Sequence, residues 1–388
     1  MEYLTYAEVD LSVIYSNYLE LCRLNFNKPV IPVIKADAYG HGATKVMEFL
    51  FSKGVRIFAV ARVEEALNLK EDLSQKGIGY VFDESEVLVF SPIFSKDFEI
   101  LHQNKNLIPI ASDISFIRDL EKYSYDNNLT LRFGIEIDTG MGRLGIHYRE
   151  KDDLFEILSS LKSIKLSHIM THFPSSDFDR DFSLYQIDLF DDILEIVKRI
   201  FPSVKSHVSN SGGVLNIPEA SKYDFARCGL SIYGYYPNMN LFDRAVINNS
   251  LTLKSRVVLK KFFRKGESIS YNRTYFMDSD GYVVVIPCGY ADAIPTLYSN
   301  NMEVLINGKL YRVVGRITMD YIMARVDNSV NVGDEVIIFG GNYGRFMRIE
   351  EFGKKANLIP YEITCGISKR VPRKYVGYSD SSAPDITV

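Results

Sequence analysis

The sequence predicts a (β/α)8, or TIM, barrel followed by a smaller, mainly β domain. From residue 29 to about 235, short apolar runs alternate with segments in which apolar residues recur every three or four positions. Near-continuous apolar runs separated by amphipathic helices mean a parallel sheet covered on its outer face. After about Pro237 the helical period fades, and short alternating runs divided by Gly, Asp and Asn take over. The length, 388 residues, exceeds one small core and suits a large domain with a smaller one.

The apolar runs are 30–34, 55–60, 79–82 or 87–92, 107–111, 129–137, 164–171, 204–208 and 225–233, with helical segments such as 43–51, 114–123, 154–161 and 184–200 between them. Eight such units in so short a stretch match a closed barrel, whereas a doubly wound open sheet uses fewer strands. The barrel is assigned to residues 1–239, its first ten or so residues being able to join the β domain, which takes 240–388. The β runs are 251–263, 282–287, 302–306, 311–314, 322–326 and 335–339, with Asn307-Gly308 as a hairpin turn. The polar tail 379–388 is expected to fray.

Composition narrows the function. The 45 Lys and Arg against 49 Asp and Glu give a net charge of −4, with no basic excess to attract nucleic acid. The cluster Lys254, Arg256, Lys260, Lys261, Arg264 and Lys265 reads as the charged edge of a β domain. No stretch reaches the roughly 20 apolar residues of a membrane span, and the N-terminus lacks a secretory pattern. Four dispersed cysteines form neither a disulfide framework nor a zinc site, so no metal is expected. These features predict a reduced cytoplasmic enzyme whose cysteines are small buried hydrophobes.

A barrel carries its chemistry at the carboxyl ends of its strands. The first run ends in Lys35-Ala-Asp-Ala-Tyr39, the fifth in Asp138-Thr-Gly-Met-Gly-Arg143, the sixth in Thr171-His172, the seventh in Ser209-Asn-Ser211-Gly-Gly, and the eighth carries Arg227-Cys-Gly229. A lysine ending an apolar strand is costly to bury as a cation, which marks Lys35 as a candidate Schiff-base former. Ser211 and the glycines at residues 212, 213 and 229 form a cup in which backbone N–H groups can approach an anion. Lysine, cup and arginine in one mouth point to pyridoxal phosphate. Gly140-Met-Gly-Arg-Leu-Gly145 fits a dinucleotide fingerprint, but it follows a fifth strand and no helix begins there, so that reading is set aside.

At these residues the chain resembles the alanine racemases, a two-domain family of pyridoxal-phosphate enzymes. The resemblance runs through VIKADAYGHG, DTGMGRLG, THF, HVSNSGG and RCGLSIYG in the barrel, then ISYNRTY, CGYAD, GRITMD, GDEV and CGISKRVPR in the β domain. It implies that Lys35 binds pyridoxal 5'-phosphate and serves as base on one face of the amino acid, with Tyr271 as the opposite base. Tyr271 would come from the partner subunit, so a homodimer would build shared sites. Tyr39, Ser211, Gly229 and Leu230 match the phosphate contacts, His172 packs at the ring, and Arg227 faces its nitrogen. Arg143 and the Met319 backbone amide, beside Asp320, would hold the substrate carboxylate. The implied function is interconversion of L- and D-alanine, supplying D-alanine for the cell wall. Racemases acting on serine or a longer amino acid, and a non-catalytic cofactor carrier, are the alternatives.

The chain departs from the pattern at four positions. Glu136 stands where many members carry a carbamylated lysine, and is expected to supply that negative charge to Arg143 directly. Lys369 stands where a number of members have tyrosine, which bears on substrate range. Asn272 and Ala293 replace common glycines.

Overall fold

The computed structural model describes residues 3–344 and 347–378. The chain divides into two compact units. One holds Asn17–Ile232 and Tyr236–Ile247; the other holds the residues through Ser16, Tyr233–Tyr235 and those from Asn248 onward. The tail 379–388 lies outside the described residues.

The first unit is the predicted barrel. Its eight parallel strands are Val30–Pro32, Ile57–Val60, Glu86–Val89, Leu107–Ala111, Leu131–Asp138, Ile164–Met170, Lys205–His207 and Ala226–Cys228. The second to the seventh pair in chain order, and the eighth pairs with the first. Parallel bridges Val33–Ala59 and His207–Phe225 join these two groups and complete the ring. The third strand takes the later of the two predicted runs, because Tyr80–Asp83 forms a helical turn. The barrel's packing follows from composition: its fourth strand, Leu107–Ala111, is buried at every position, as a strand covered on both faces must be.

The helices begin where side chains can satisfy their first N–H groups. Asp113 accepts from Phe116 N–H at the head of Ile114–Asp126, and Asp179 from Phe182 N–H at the head of Arg180–Ile200. The latter buries Ile187, Phe190, Leu194 and Val197 at spacings of three and four.

The second unit is mainly β. Tyr6–Asp10 lies within a six-stranded sheet, antiparallel to Leu251–Arg256 and parallel to Arg373–Val376. A three-stranded sheet is formed by Leu259–Phe263, Gly281–Ile286 and Ile322–Val326. The run 251–263 is therefore two strands in different sheets. Glu303–Ile306 and Lys309–Arg312 form the hairpin around Asn307-Gly308, whose positive φ values of 51° and 77° suit that pair. Leu259–Phe263 is an edge strand, and its lysines at 260 and 261 belong to that edge. Lys254 instead pairs with Glu8 at 2.9 Å inside the larger sheet. Cys228 and Cys288 are buried as expected, but Cys365 is exposed.

Candidate active site

In the barrel, the first strand ends in an unusual piece of backbone. Ala36, Asp37, Ala38 and Tyr39, directly after Lys35, have φ between 50° and 55° and form one left-handed turn. Left-handed helical backbone costs roughly 1–2 kcal/mol per residue for L-amino acids, so something must hold it. The Glu65 carboxylate accepts N–H bonds from Ala36 (2.8 Å), Ala61 (2.8 Å) and Arg62 (3.1 Å), tying the turn to the end of the second strand. Asp37 accepts from Ala43 N–H at 2.7 Å, and buried His41 contacts the Ala38 and Tyr39 carbonyls through Nδ1. The turn fixes the spacing between Lys35 and Tyr39.

Tyr39 reaches the start of the turn after the eighth strand. A Cβ on Gly229 would lie 2.2 Å from the Tyr39 hydroxyl, so only glycine admits this approach. Ser211 Oγ receives Ser231 N–H at 3.2 Å, which places it beside the same turn, Leu230–Tyr233. The first N–H groups of such a turn have no acceptor inside it. Tyr39, Ser211, Gly229 and Leu230 are thereby gathered into one polar cup.

Arg227 is 3% exposed and spends four of its N–H groups within the chain. Nη1 donates to His207 Nδ1 (2.8 Å) and the His207 carbonyl (2.7 Å); Nη2 donates to the Thr171 carbonyl (2.6 Å) and His172 Nδ1 (3.3 Å). Nε–H has no acceptor among the described residues. Burial lowers the guanidinium to a pKa of about 10, so it stays protonated. Because Arg227 only donates, His172 Nδ1 accepts and its proton sits on Nε2. Burial, then the charges of Arg227, Arg143 and Lys35, hold His172 well below the ordinary imidazole range and keep it neutral. Asp224 does not pair with Arg227: it accepts from Ser206 N–H and Oγ.

Glu136 is 3% exposed, near Arg227 and Arg143 but hydrogen-bonded to neither. Burial pushes its carboxyl up to about 7, against the pull of Arg227 first and Arg143 second. A carboxyl raised in the folded state binds a proton there that the unfolded chain has released. Stability is therefore lost as pH rises from the ordinary carboxylate range through 7. Glu136→Gln removes the ionisation, so relative to wild type the variant should gain about 3 kcal/mol between pH 4 and 8. Urea unfolding of both cofactor-free proteins at several pH values measures this; a pH-independent difference would contradict it.

The β unit holds the predicted residues Tyr271, Met319, Asp320 and Lys369, whereas Arg143 lies in the barrel unit. Tyr271, Tyr290, Met319 and Asp320 line one cavity of about 680 Å³ with an apolar floor that includes Val283 and Val285. Tyr271 is 69% exposed and stands on a strained loop in which Ser270, Asn272 and Arg273 all have positive φ. Asn272 has φ of 59°, and asparagine tolerates the conformation for which glycine is the common choice. Ala293 has no such constraint. Met319 and Asp320 are held by an arginine the sequence reading passed over. Arg370 donates Nε and Nη2 to Asp292 (2.7 and 3.0 Å) and Nη1 to Asp320 (2.9 Å). The Met319 carbonyl also receives Ala291 N–H at 3.1 Å. Neighbouring Lys369 is exposed. The dinucleotide-like loop is used internally: Asp138 accepts from Gly140 and Gly142 N–H. No cluster of three or more metal-ligating side chains exists among the described residues.

Glu65 and Arg370 were missed for identifiable reasons. Glu65 sits three residues after Arg62, and a capping-box reading looks for Ser or Thr there. Arg370 lies 50 residues from Asp320 in a run of basic residues, so only the fold pairs them.

Comparison with known proteins identifies the family. The model of the alanine racemase N-terminal domain matches residues 9–237 and that of the C-terminal domain residues 250–375. Alanine racemase 2 of Caldanaerobacter subterraneus subsp. tengcongensis is 35% identical over 96% of this chain and 95% of its own length. The alanine racemase of Carboxydothermus hydrogenoformans is 36% identical over 96% and 99%. Among solved structures, the alanine racemase of Clostridium difficile 630 superposes with a TM-score of 0.86 at 29% identity, covering 97% of this chain and 96% of that one. The Bartonella henselae alanine racemase, with covalently bound pyridoxal phosphate, gives 0.79 at 26% identity over 97% and 100%. With a barrel bearing Lys35 and Arg227, and both domain models matched, the chain belongs to the alanine racemase family.

Proposed function

We propose that the chain interconverts L- and D-alanine with pyridoxal 5'-phosphate as cofactor, in the cytoplasm, as a homodimer whose sites each use residues of both copies. Supply of D-alanine for the cell wall is the proposed role. The supporting observation is the donor set at the barrel mouth. A buried guanidinium keeps one N–H unspent, the hydroxyls of Tyr39 and Ser211 meet small residues at one turn, and Lys35 precedes Tyr39 on a rigid turn. This set fits the cofactor: Lys35 for its aldehyde, the cup of Tyr39, Ser211, Gly229 and Leu230 for its phosphate, and Arg227 Nε–H for its ring nitrogen.

When bound, pyridoxal phosphate makes the amino acid's α-proton removable by delocalising the resulting charge. Inverting the centre then needs one proton-transfer group on each face. Lys35 would serve one face and Tyr271 the other. A phenol ordinarily loses its proton near pH 10, so a base of this type needs support for its anion. Neutral His172 retains an Nε2–H that suits a phenolate oxygen. Arg227 stays charged and cannot pass its proton to the ring nitrogen. That restrains charge withdrawal from the α-carbon and favours reversible proton exchange over loss of the carboxylate. Arg143 and the Met319 amide would bind the substrate carboxylate, with Arg370 and Asp320 fixing the Met319 loop and Glu136 offsetting Arg227 and Arg143.

Each enantiomer of alanine, serine and lysine, incubated with enzyme and cofactor in heavy water, tests the proposal. Alanine should exchange its α-proton and lose optical rotation from either side. Faster racemisation of serine or lysine would reassign the substrate, and exchange with full retention would remove Tyr271 from its role.

A further inference from the structure

Arg227 is braced from behind by a hydrogen-bond chain that the chemistry above does not use. His207, whose Nδ1 accepts from Arg227, places Nε2 3.1 Å from His168 Nδ1. His168 Nε2 in turn lies 2.6 Å from Glu86 Oε1, and the other Glu86 oxygen receives Arg132. His168 and His207 are 2% and 0% exposed. Glu86 is the first residue of the third strand, and Arg227 is in the eighth. The chain thus joins the amino-terminal end of the barrel to its mouth. Room for His168 comes from its register partner Gly134: a Cβ there would stand 3.1 Å from His168 Cβ and 2.6 Å from Ile110 Cδ1.

The two ends of the chain dictate the same direction. A guanidinium only donates, so His207 Nδ1 must accept and the ring proton sits on Nε2. That proton goes to His168 Nδ1, which leaves the His168 proton on Nε2, pointing at Glu86. A carboxylate only accepts. Reversing the chain would set His207 Nδ1–H against an Arg227 N–H across 2.8 Å. Burial and then Arg227 hold His207 well below the ordinary imidazole range, consistent with a neutral ring.

We propose that His168 and Glu86 are positioning residues for Arg227, holding His207 as an acceptor and thereby holding the guanidinium with Nε free for the cofactor's ring nitrogen. The cofactor half of this statement rests on the function proposed above; the tautomers do not.

Nitrogen-15 NMR of histidine-labelled holoenzyme between about pH 6 and 9 tests the direction. His207 should carry its proton on Nε2, and His168 should donate from Nε2 and accept at Nδ1. A proton on Nδ1 of either ring would overturn the proposal. For the positioning role, Glu86→Leu and His168→Leu should each speed cofactor release about tenfold, as expected for loss of a buried hydrogen-bond partner. Glu86→Gln, which still accepts, should stay within about threefold of wild type. The double Leu variant should release cofactor no faster than the worse single one, because both cut one chain. Additive effects, or lower melting temperatures with release unchanged, would overturn the role. Failure of the cofactor reading is distinguishable: labelling of Lys35 by borohydride would then be absent while the tautomers remained as stated.

Discussion

Lys35→Ala is expected to abolish racemisation, lowering kcat by about 10⁴-fold or more, since one residue provides both the covalent link to the cofactor and one of the two bases. The variant should fold. Lys35 is only half-buried, and the turn after it is held by the Glu65 and Asp37 carboxylates and by His41. Wild type incubated with pyridoxal phosphate should turn yellow, lose the colour with borohydride and carry the label on Lys35. Lys35→Ala should bind the cofactor without a covalent link, through the phosphate cup and Arg227, and remain unlabelled. A label on another lysine, or residual racemisation within tenfold of wild type, would remove Lys35 from its assigned position.

Tyr271→Phe should be the second most damaging substitution, with kcat reduced by about 10² to 10⁴, the range for one positioned acid or base. Its effect on stability should be within about 0.5 kcal/mol, because the side chain is largely exposed. Its signature is stereochemical. With one base left, α-proton exchange from the enantiomer facing Lys35 should persist with retention while inversion fails. The shared site adds a test that no single-chain site would pass. Mixing inactive Lys35→Ala and Tyr271→Phe chains should form mixed dimers in which one site carries both defects and the other neither. After random exchange of subunits this restores about a quarter of wild-type activity. No recovery, despite exchange shown by mass spectrometry, would mean that both bases come from one chain.

Much of this was legible in the sequence, and physical reasons separate what was from what was not. Barrel strands are read easily because burial on both faces produces continuous apolar runs, and the residues ending them, from Lys35 to Arg227, follow directly. The third strand was ambiguous because 79–82 and 87–92 are equally apolar, and only packing distinguishes a buried helical turn from a strand. The run 251–263 hid a change of sheet between Arg256 and Leu259. Alternation of side chains records the faces of a strand but not its partners. Glu65, Arg370, His168 and Glu86 escaped because each acts through a residue distant in sequence. The weight of Arg227 over Arg143 on Glu136 likewise required distances in space.

The left-handed turn at residues 36–39 has a chemical consequence of its own. Its φ values near +53° mirror those of an ordinary right-handed helix, so this backbone has the handedness natural to D-amino acids. An enzyme proposed to make D-alanine thus holds its own lysine at the head of a segment shaped for D-residues. Total synthesis or ligation could place D-alanine at position 36, where the side chain is exposed. There the mirror-image residue should relieve about 1–2 kcal/mol, where in any right-handed helix of the same protein it would cost as much.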